Sequence, residues 1–182
     1  MQPAIFLDRD GVIIQNRPNY VRSWQDVEII PGSLEALAQL RDSPFKIVII
    51  TNQSAVGRGI ISLATVEEIN RRLVSEIERV GGRVDAVYIC PHKPSDRCTC
   101  RKPEPGLIQQ AAADLSLDLS RSILVGDALT DLQAGRAAGV GSVALVRTGR
   151  GQEQALSPQA ASMRPFPIYD HLAHALGEII TL

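Results

Sequence analysis

The chain is short of the features that mark several common classes of protein. Aromatic residues make up only 4% of its 182 residues, too few to furnish the stacking platforms that hold single-stranded nucleic acid. The formal net charge is −1, from 19 basic and 20 acidic residues. No basic field therefore advertises nucleic acid or an anionic membrane surface. The N-terminus has no positive segment leading into a longer apolar one, which argues against a signal peptide. No apolar run approaches the ~20 residues of a membrane span. These absences lead us to expect a soluble, cytoplasmic protein with no nucleic-acid or membrane partner. Cysteine is scarce as well, with three residues, all between Cys90 and Cys100. An odd, local group of thiols is no disulfide framework, and in a reducing compartment it reads better as a metal site.

What is present suffices for one core. Hydrophobic residues make up 45% of the chain, and its length suits a single domain over 1–182. Its focus is Ile5-Phe6-Leu7-Asp8-Arg9-Asp10-Gly11-Val12. A short apolar run of this kind reads as a buried strand. It ends in two carboxylates at i and i+2, whose side chains at a strand end point the same way. Like charges that close are costly unless a cation, commonly a metal ion, sits between them.

Further strands are expected at 46–50, 84–89, 122–125 and 142–146. Helices are expected after Pro31-Gly32, from Leu63 to Val80 with Thr65 and Glu68 as a capping box, from Pro105 to Leu115, from Thr130 to Ala138 and from Asp170 to Ile180. Residues 11–28 and 149–167 read as loop. Strands alternating with helices predict an α/β class, a Rossmann-like parallel sheet sandwiched by helices with right-handed crossovers. Between the first two strands there is room for a loop and one helix, so no large cap domain is expected. Ligands of such sheets sit at the carboxyl ends of the strands. There the sequence delivers Asp8 and Asp10, Thr51 and Asn52, Arg101 and Lys102, and Asp127.

That set suits phosphoryl chemistry. Asp8, Asp10 and Asp127 offer the oxygens a hard cation such as Mg²⁺ requires, and Thr51 and Lys102 are donors for phosphoryl oxygens. One carboxylate can attack phosphorus, and the other can protonate the leaving oxygen and then activate water. Taken singly, Thr51 could cap a turn, Lys102 could lie on the surface and Asp127 could cap a helix. Their joint arrival at one sheet edge favours an active site.

The chain resembles the haloacid dehalogenase-like (HAD) phosphohydrolase superfamily through Phe6-Leu7-Asp8-Arg9-Asp10-Gly11, Thr51-Asn52-Gln53, Lys102, and Gly126-Asp127 with Asp131. The resemblance implies a nucleophile at Asp8, a general acid/base at Asp10, phosphoryl binding by Thr51 and Lys102, Mg²⁺ on Asp127, and a more distant, water-bridged metal contact at Asp131. The dehalogenase branch lacks the second acid, so Asp10 favours phosphoryl transfer.

Cys90-Pro91-His92 and Cys98-Thr99-Cys100 form C-x-H-x5-C-x-C. Four such ligands suit a closed, structural Zn²⁺ site, and a polar loop with few apolar residues gains its stability from the metal. At this loop the chain resembles two families of the superfamily, the D-glycero-D-manno-heptose 1,7-bisphosphate 7-phosphatases and the histidinol-phosphate phosphatase domains. The stretches Thr51–Gly59, Tyr20-Val21, Arg101–Gly106 and Val146–Gly149 are more similar to the heptose enzymes. The short spacing from His92 to Cys98 is shared with the histidinol-phosphate enzymes. A small sugar bisphosphate is therefore the expected partner and a monomer the expected state. Substrate contacts are expected from Asn16, Tyr20, Asn52, Gln53, Ser54, Arg58 and Arg101. Histidinol phosphate remains the alternative substrate, and a non-enzymatic zinc module is the alternative from another class. A polynucleotide 3′-phosphatase shares the motif set but requires clustered basic residues.

Overall fold

The computed structural model describes residues 1–180. Six strands form one sheet in the order β3-β2-β1-β4-β5-β6, every pair parallel. They are β1 (Ala4–Leu7), β2 (Lys46–Asn52), β3 (Ala86–Cys90), β4 (Ile123–Gly126), β5 (Ser142–Val146) and β6 (Ile168–Tyr169). The central strands are apolar on both faces because both faces are covered. Ile5, Leu7, Ile47, Ile49 and Val125 pack with α1 (Ser33–Gln39), α3 (Leu63–Arg79) and α8 (Leu172–Ile180) on one side. Ala4, Phe6, Val48, Ile50 and Leu124 pack on the other side with α4 (Gly106–Leu115), α5 (Leu129–Ala138) and α7 (Pro158–Met163). The alternation along β1, with Ile5 and Leu7 facing one way and Ala4 and Phe6 the other, is the period of two that a strand imposes.

The chain leaves β1 toward β2 and β3, then returns to the other side of β1 with β4. Strand order thus reverses between β1 and β4, the place where open α/β sheets bind their ligands. Between β1 and β2 lie only α1 and a single 3-10 turn, Trp24–Asp26, so no large cap covers this crevice.

The structure corrects three expectations. Residues 149–167 are not a loop; they hold α6 (Gly151–Ala155) and α7, and the chain then adds β6 at the sheet edge. Helices of five and six residues are too short for a hydrophobic period to register. Yet Ser157-Pro158 is a start signal: the Ser157 hydroxyl accepts from the Ala160 amide, and proline suits the first helical turn. The cap of α3 is Ser62, whose Oγ accepts from the Thr65 amide at 3.0 Å, and Glu68 pairs with Arg71 and Arg72 instead. Finally, β2 runs through Thr51 to Asn52, so the Thr51 side chain is presented from the last turn of the pleat rather than from a following loop.

Candidate active site

The ladder between β1 and β4 continues one residue beyond β1, with the Asp8 amide donating to the Val125 carbonyl at 3.1 Å. This pins Asp8 at the reversal point beside Asp127, which follows β4. Asp131, in the first turn of α5, completes a group of three carboxylates whose oxygens lie within 4.8 Å of one another. All three are buried: Asp8 is 5% exposed, Asp127 0% and Asp131 1%. Two residues lacking a Cβ make room for Asp127. Gly11 (φ +87) and Gly149 (φ +58) both back onto the Asp127 carboxylate and the Asn16 amide, and a Cβ at either would collide with Asp127.

Lys102 Nζ reaches into this group, 3.0 Å from Asp8 Oδ1 and 2.8 Å from Asp131 Oδ1, and donates to the Ile50 carbonyl at 3.0 Å. The Asn52 side chain clasps the Lys102 backbone at both ends, its amide donating to the carbonyl at 3.0 Å and its oxygen accepting from the N–H at 3.1 Å. Asp127 accepts from Asn16 Nδ2 at 2.7 Å and from the Arg150 amide at 2.8 Å.

Charge balance is strained here. Burial pushes Asp8 up to about 8; Lys102 opposes this, while Asp131, Asp127 and Asp10 add to it. Burial also raises Asp127, with Asp131 reinforcing it and Arg150 and Asn16 opposing. For Lys102, burial disfavours the ammonium, but Asp131 and Asp8 more than offset that and hold it above its ordinary value. Three buried carboxylates facing one buried ammonium form a donor set that a hard divalent cation fits in ligand type and in charge.

Asp10 departs from the expected metal set. Its carboxylate turns from the other three toward Arg9, which meets it through Nε at 3.0 Å and Nη2 at 3.1 Å, and toward Gln53 Nε2 at 2.8 Å. Thr51 Oγ1 lies 3.5 Å away. Asp131, expected at a distance from the metal, is instead the third member of the carboxylate group. The sharp turn at Gly11 and the buried Arg9 side chain separate Asp10 from Asp8.

The group opens into a cavity of about 520 Å³ lined by Asn16, Tyr20, Asn52, Gln53, Ser54 and Arg101 among the expected contacts. Arg58 is not among its lining residues: the helical turn Ser54–Gly57 carries it to the exposed surface. Sequence reasoning missed Arg17, Thr130 and Arg150, which also line the cavity. Arg150 was legible in principle, because it follows β5 at the same sheet edge as the other site residues.

The four cysteine and histidine ligands also converge. Cys90 Sγ lies 3.6 Å from Cys98 Sγ and 3.1 Å from Cys100 Sγ; Cys98 and Cys100 are 3.4 Å apart; His92 Nδ1 is 3.6 Å from Cys90 and 3.3 Å from Cys100. The edges of a tetrahedron around Zn²⁺ with ordinary bond lengths are about 3.5–3.8 Å, so the four atoms fit that ion after slight expansion. The loop is tied to the carboxylate site twice, through Gln53 N–H to the Cys90 carbonyl at 2.7 Å and Arg101 Nη1 to the His92 carbonyl at 3.1 Å.

This geometry has close parallels among known proteins. A HAD-hydrolase-like family model matches residues 99–175. D-glycero-β-D-manno-heptose-1,7-bisphosphate 7-phosphatase from Bordetella bronchiseptica is 42% identical over 149 residues, 82% of this chain and 83% of that one. The enzyme of the same name from Pseudomonas putida is 39% identical over 176 residues, 97% and 98% of the two chains. The chain belongs to the heptose-bisphosphate phosphatase family of HAD-like hydrolases. A crystal structure from this family, the B. bronchiseptica enzyme complexed with magnesium and phosphate, superposes with a TM-score of 0.90 at 36% identity, covering 98% of each chain. At that coverage the superposition spans the segments that carry both clusters of the present chain.

Proposed function

We propose that this chain is a Mg²⁺-dependent phosphatase that removes the 7-phosphate of D-glycero-β-D-manno-heptose 1,7-bisphosphate through an aspartyl-phosphate. The observation that carries this reading is the buried Asp8–Lys102–Asp127–Asp131 group at the strand reversal, opening into a cavity flanked by Arg17, Arg101 and Arg150. The relatives' names supply the sugar and its β anomer.

Asp8 Oδ1 is occupied by its own Arg9 amide at 2.7 Å and by Lys102, which leaves Oδ2 to attack phosphorus. As that O–P bond forms, the bond from phosphorus to the C7 oxygen breaks, and Asp10 gives its proton to the departing alcohol. Asp10 then takes a proton from water as the water attacks phosphorus and the bond from phosphorus to Asp8 Oδ2 breaks. Inorganic phosphate leaves, and both aspartates return to their starting states. Lys102 and Thr51 hold the phosphoryl oxygens in place, and Lys102 keeps its charge because two carboxylates face it. Mg²⁺, held by Asp8, Asp127 and Asp131, would offset the charge that gathers on the phosphoryl oxygens. Zn²⁺, held by Cys90, His92, Cys98 and Cys100, would fix the loop that leads into Arg101 and Lys102. A planar arginine grips phosphate with two parallel bonds, so Arg101 is the residue proposed to hold the unreacting phosphate.

A monomer in the cytoplasm completes the reading. Among the described residues the exposed large apolar side chains are Met1, Ile60, Leu63 and Leu156, a small set beside the roughly 20–30 residues a side of a standard interface. The free thiols suit a reducing compartment.

A panel of both anomers of the heptose bisphosphate, histidinol phosphate, fructose 1,6-bisphosphate and a 3′-phosphorylated oligonucleotide, each with Mg²⁺ and with EDTA, tests it. The β-heptose bisphosphate should have the highest kcat/KM. Histidinol phosphate turning over faster would overturn the substrate, and no Mg²⁺-dependent turnover of any member would overturn the activity.

A further inference from the structure

Helix α3 buries Val66, Ile69, Leu73 and Ile77 along one stripe, and in the middle of that stripe stands Asn70, 5% exposed. Asparagine is a poor helix residue. Here it is also half-satisfied: Oδ1 accepts from Arg9 Nη1 at 2.8 Å, while Nδ2 has no hydrogen-bond partner. An unpartnered buried donor costs on the order of 1–3 kcal/mol. A leucine at this position would extend the stripe but leave the buried Arg9 Nη1 without its acceptor. A residue that breaks two local rules to satisfy one buried guanidinium directs attention to what that guanidinium does.

The answer is visible one contact further on. Arg9 is the largest fully buried side chain of the protein, 1% exposed. Its guanidinium spans from Asn70 to the Asp10 carboxylate, using Nη1 for the first and Nε and Nη2 for the second. Asp10 Oδ2 is crowded, taking Arg9 Nε and Gln53 Nε2 with Thr51 Oγ1 at 3.5 Å. Oδ1 takes only Arg9 Nη2, at 3.1 Å, and so keeps an acceptor position for a proton.

We propose that Asn70 and Arg9 act as a positioning pair: Asn70 locks the arginine fork, and the fork fixes the Asp10 carboxylate with Oδ1 free for proton transfer. This rests on the reading of Asp10 as the general acid/base. Neither residue touches the phosphoryl group; both work through Asp10. An arginine is needed because its planar fork can hold the carboxylate with two nitrogens while the third reaches the helix, which a lysine ammonium cannot do.

The test uses Asn70→Leu, Asn70→Ala, Asn70→Asp and Arg9→Lys in the full-length, metal-loaded protein, with the heptose bisphosphate as substrate. Since a misplacement of about 1 Å can cost up to 10²-fold, Asn70→Leu and Asn70→Ala should lower kcat by roughly 10–100-fold. KM should stay within about twofold, because phosphate binding lies elsewhere. Asn70→Leu leaves the buried Arg9 Nη1 without its acceptor, so its Tm should fall by a few degrees, and circular dichroism should show it folded at the assay temperature. Asn70→Asp, which keeps the acceptor, should restore most of kcat, and Arg9→Lys should not. In an Asp10→Asn background the Asn70 substitutions should have no further effect, since residues acting through one another are not additive. Asn70→Ala and Asn70→Leu both retaining near-parental kcat would overturn the pairing, as would equal losses in the Asp10→Asn background. If Asp10→Asn itself leaves turnover intact, the acid/base reading fails instead, so the two failures are told apart.

Discussion

The two metal-competent clusters are built in opposite ways. Asp8, Asp127 and Asp131 come from the end of β1, the end of β4 and the start of α5, and all three are buried in the crevice. Cys90, His92, Cys98 and Cys100 come from one stretch of eleven residues, and only Cys90 is fully buried. The sheet and the first turn of α5 set the carboxylates in place, at an electrostatic cost that a divalent cation would relieve. The loop has no core of its own, so its ligands converge through the metal or through their mutual contacts. Loss of the first metal should therefore cost activity with the fold intact, and loss of the second should cost local structure first and activity as a consequence.

The largest expected effects break the carboxylate side. Asp8→Asn should lower turnover by about 10⁴-fold or more, as loss of a nucleophile does, while circular dichroism and melting show an intact fold. Undiminished steady-state activity would remove Asp8 from its role. Asp10→Asn should lose about 10²–10⁴-fold in kcat with substrate binding kept. A loss under about tenfold, below the range expected for a general acid/base, would remove Asp10 from that role.

On the other side, Cys98→Ser should purify with substoichiometric zinc by elemental analysis, against one Zn²⁺ per chain in the parent. Its Tm should fall by roughly 5 °C, equivalent to about 2 kcal/mol for a chain of this size. Activity should drop by about tenfold, the lower end of what disturbed metal surroundings cost. An unchanged zinc content would reject the ligand set. An unchanged Tm with lost zinc would show that the loop folds without metal, and the contrast between the clusters would collapse.

How much of this was legible in the sequence follows the same division. The convergence of Cys90, His92, Cys98 and Cys100 could be read directly, since spacing within a single loop carries their geometry. The carboxylates could be read only through the strand-end rule, which names which residues reach the sheet edge but not which way each side chain turns. Asp131 rather than Asp10 stands beside Asp8 and Asp127 for that reason: Asp10 turns toward Arg9, whose guanidinium also bonds Asn70, 61 positions from it. Arg150 escaped because it lies between β5 and a five-residue helix, in a segment whose elements are too short for periodicity. Arg58 was expected as a contact because it lies in the Thr51–Gly59 stretch similar to the heptose enzymes, a likeness that does not say which way its side chain points.

Arg101 joins the two regions, lining the cavity while holding the His92 carbonyl. If it holds the unreacting phosphate, Arg101→Ala should reduce kcat/KM for the bisphosphate by about 10–100-fold, the ~1.5–3 kcal/mol of a charge-assisted hydrogen bond. The loss on an aryl monophosphate should be much smaller. Equal losses on the two substrates would assign Arg101 to bracing the zinc loop alone.

The smallest effect concerns pH. In the metal-free carboxylate site, burial pushes Asp8 up to about 8 from an ordinary 3.8, against the pull of Lys102 and with the aid of Asp131. An acid raised on folding binds its proton more tightly in the folded state. Its contribution to stability is complete below about pH 4 and is lost as pH rises through about 8. Metal-free protein with zinc retained should therefore become less stable from pH 5 to pH 8, and Asp8→Asn should show a shallower decline over that window. Mg²⁺ favours the ionised carboxylates and so must displace the proton. The rise in Tm on adding Mg²⁺ should be larger at pH 8 than at pH 6 in the parent, and the difference should shrink in Asp8→Asn. Measuring melting at both pH values, with and without Mg²⁺, in both proteins separates this from any pH effect of the zinc loop, which the substitution leaves unchanged. A Mg²⁺-induced rise of the same size at both pH values would show that the buried carboxylates stay ionised without the metal. The strained charge balance that distinguishes this cluster from the thiol cluster would then be absent.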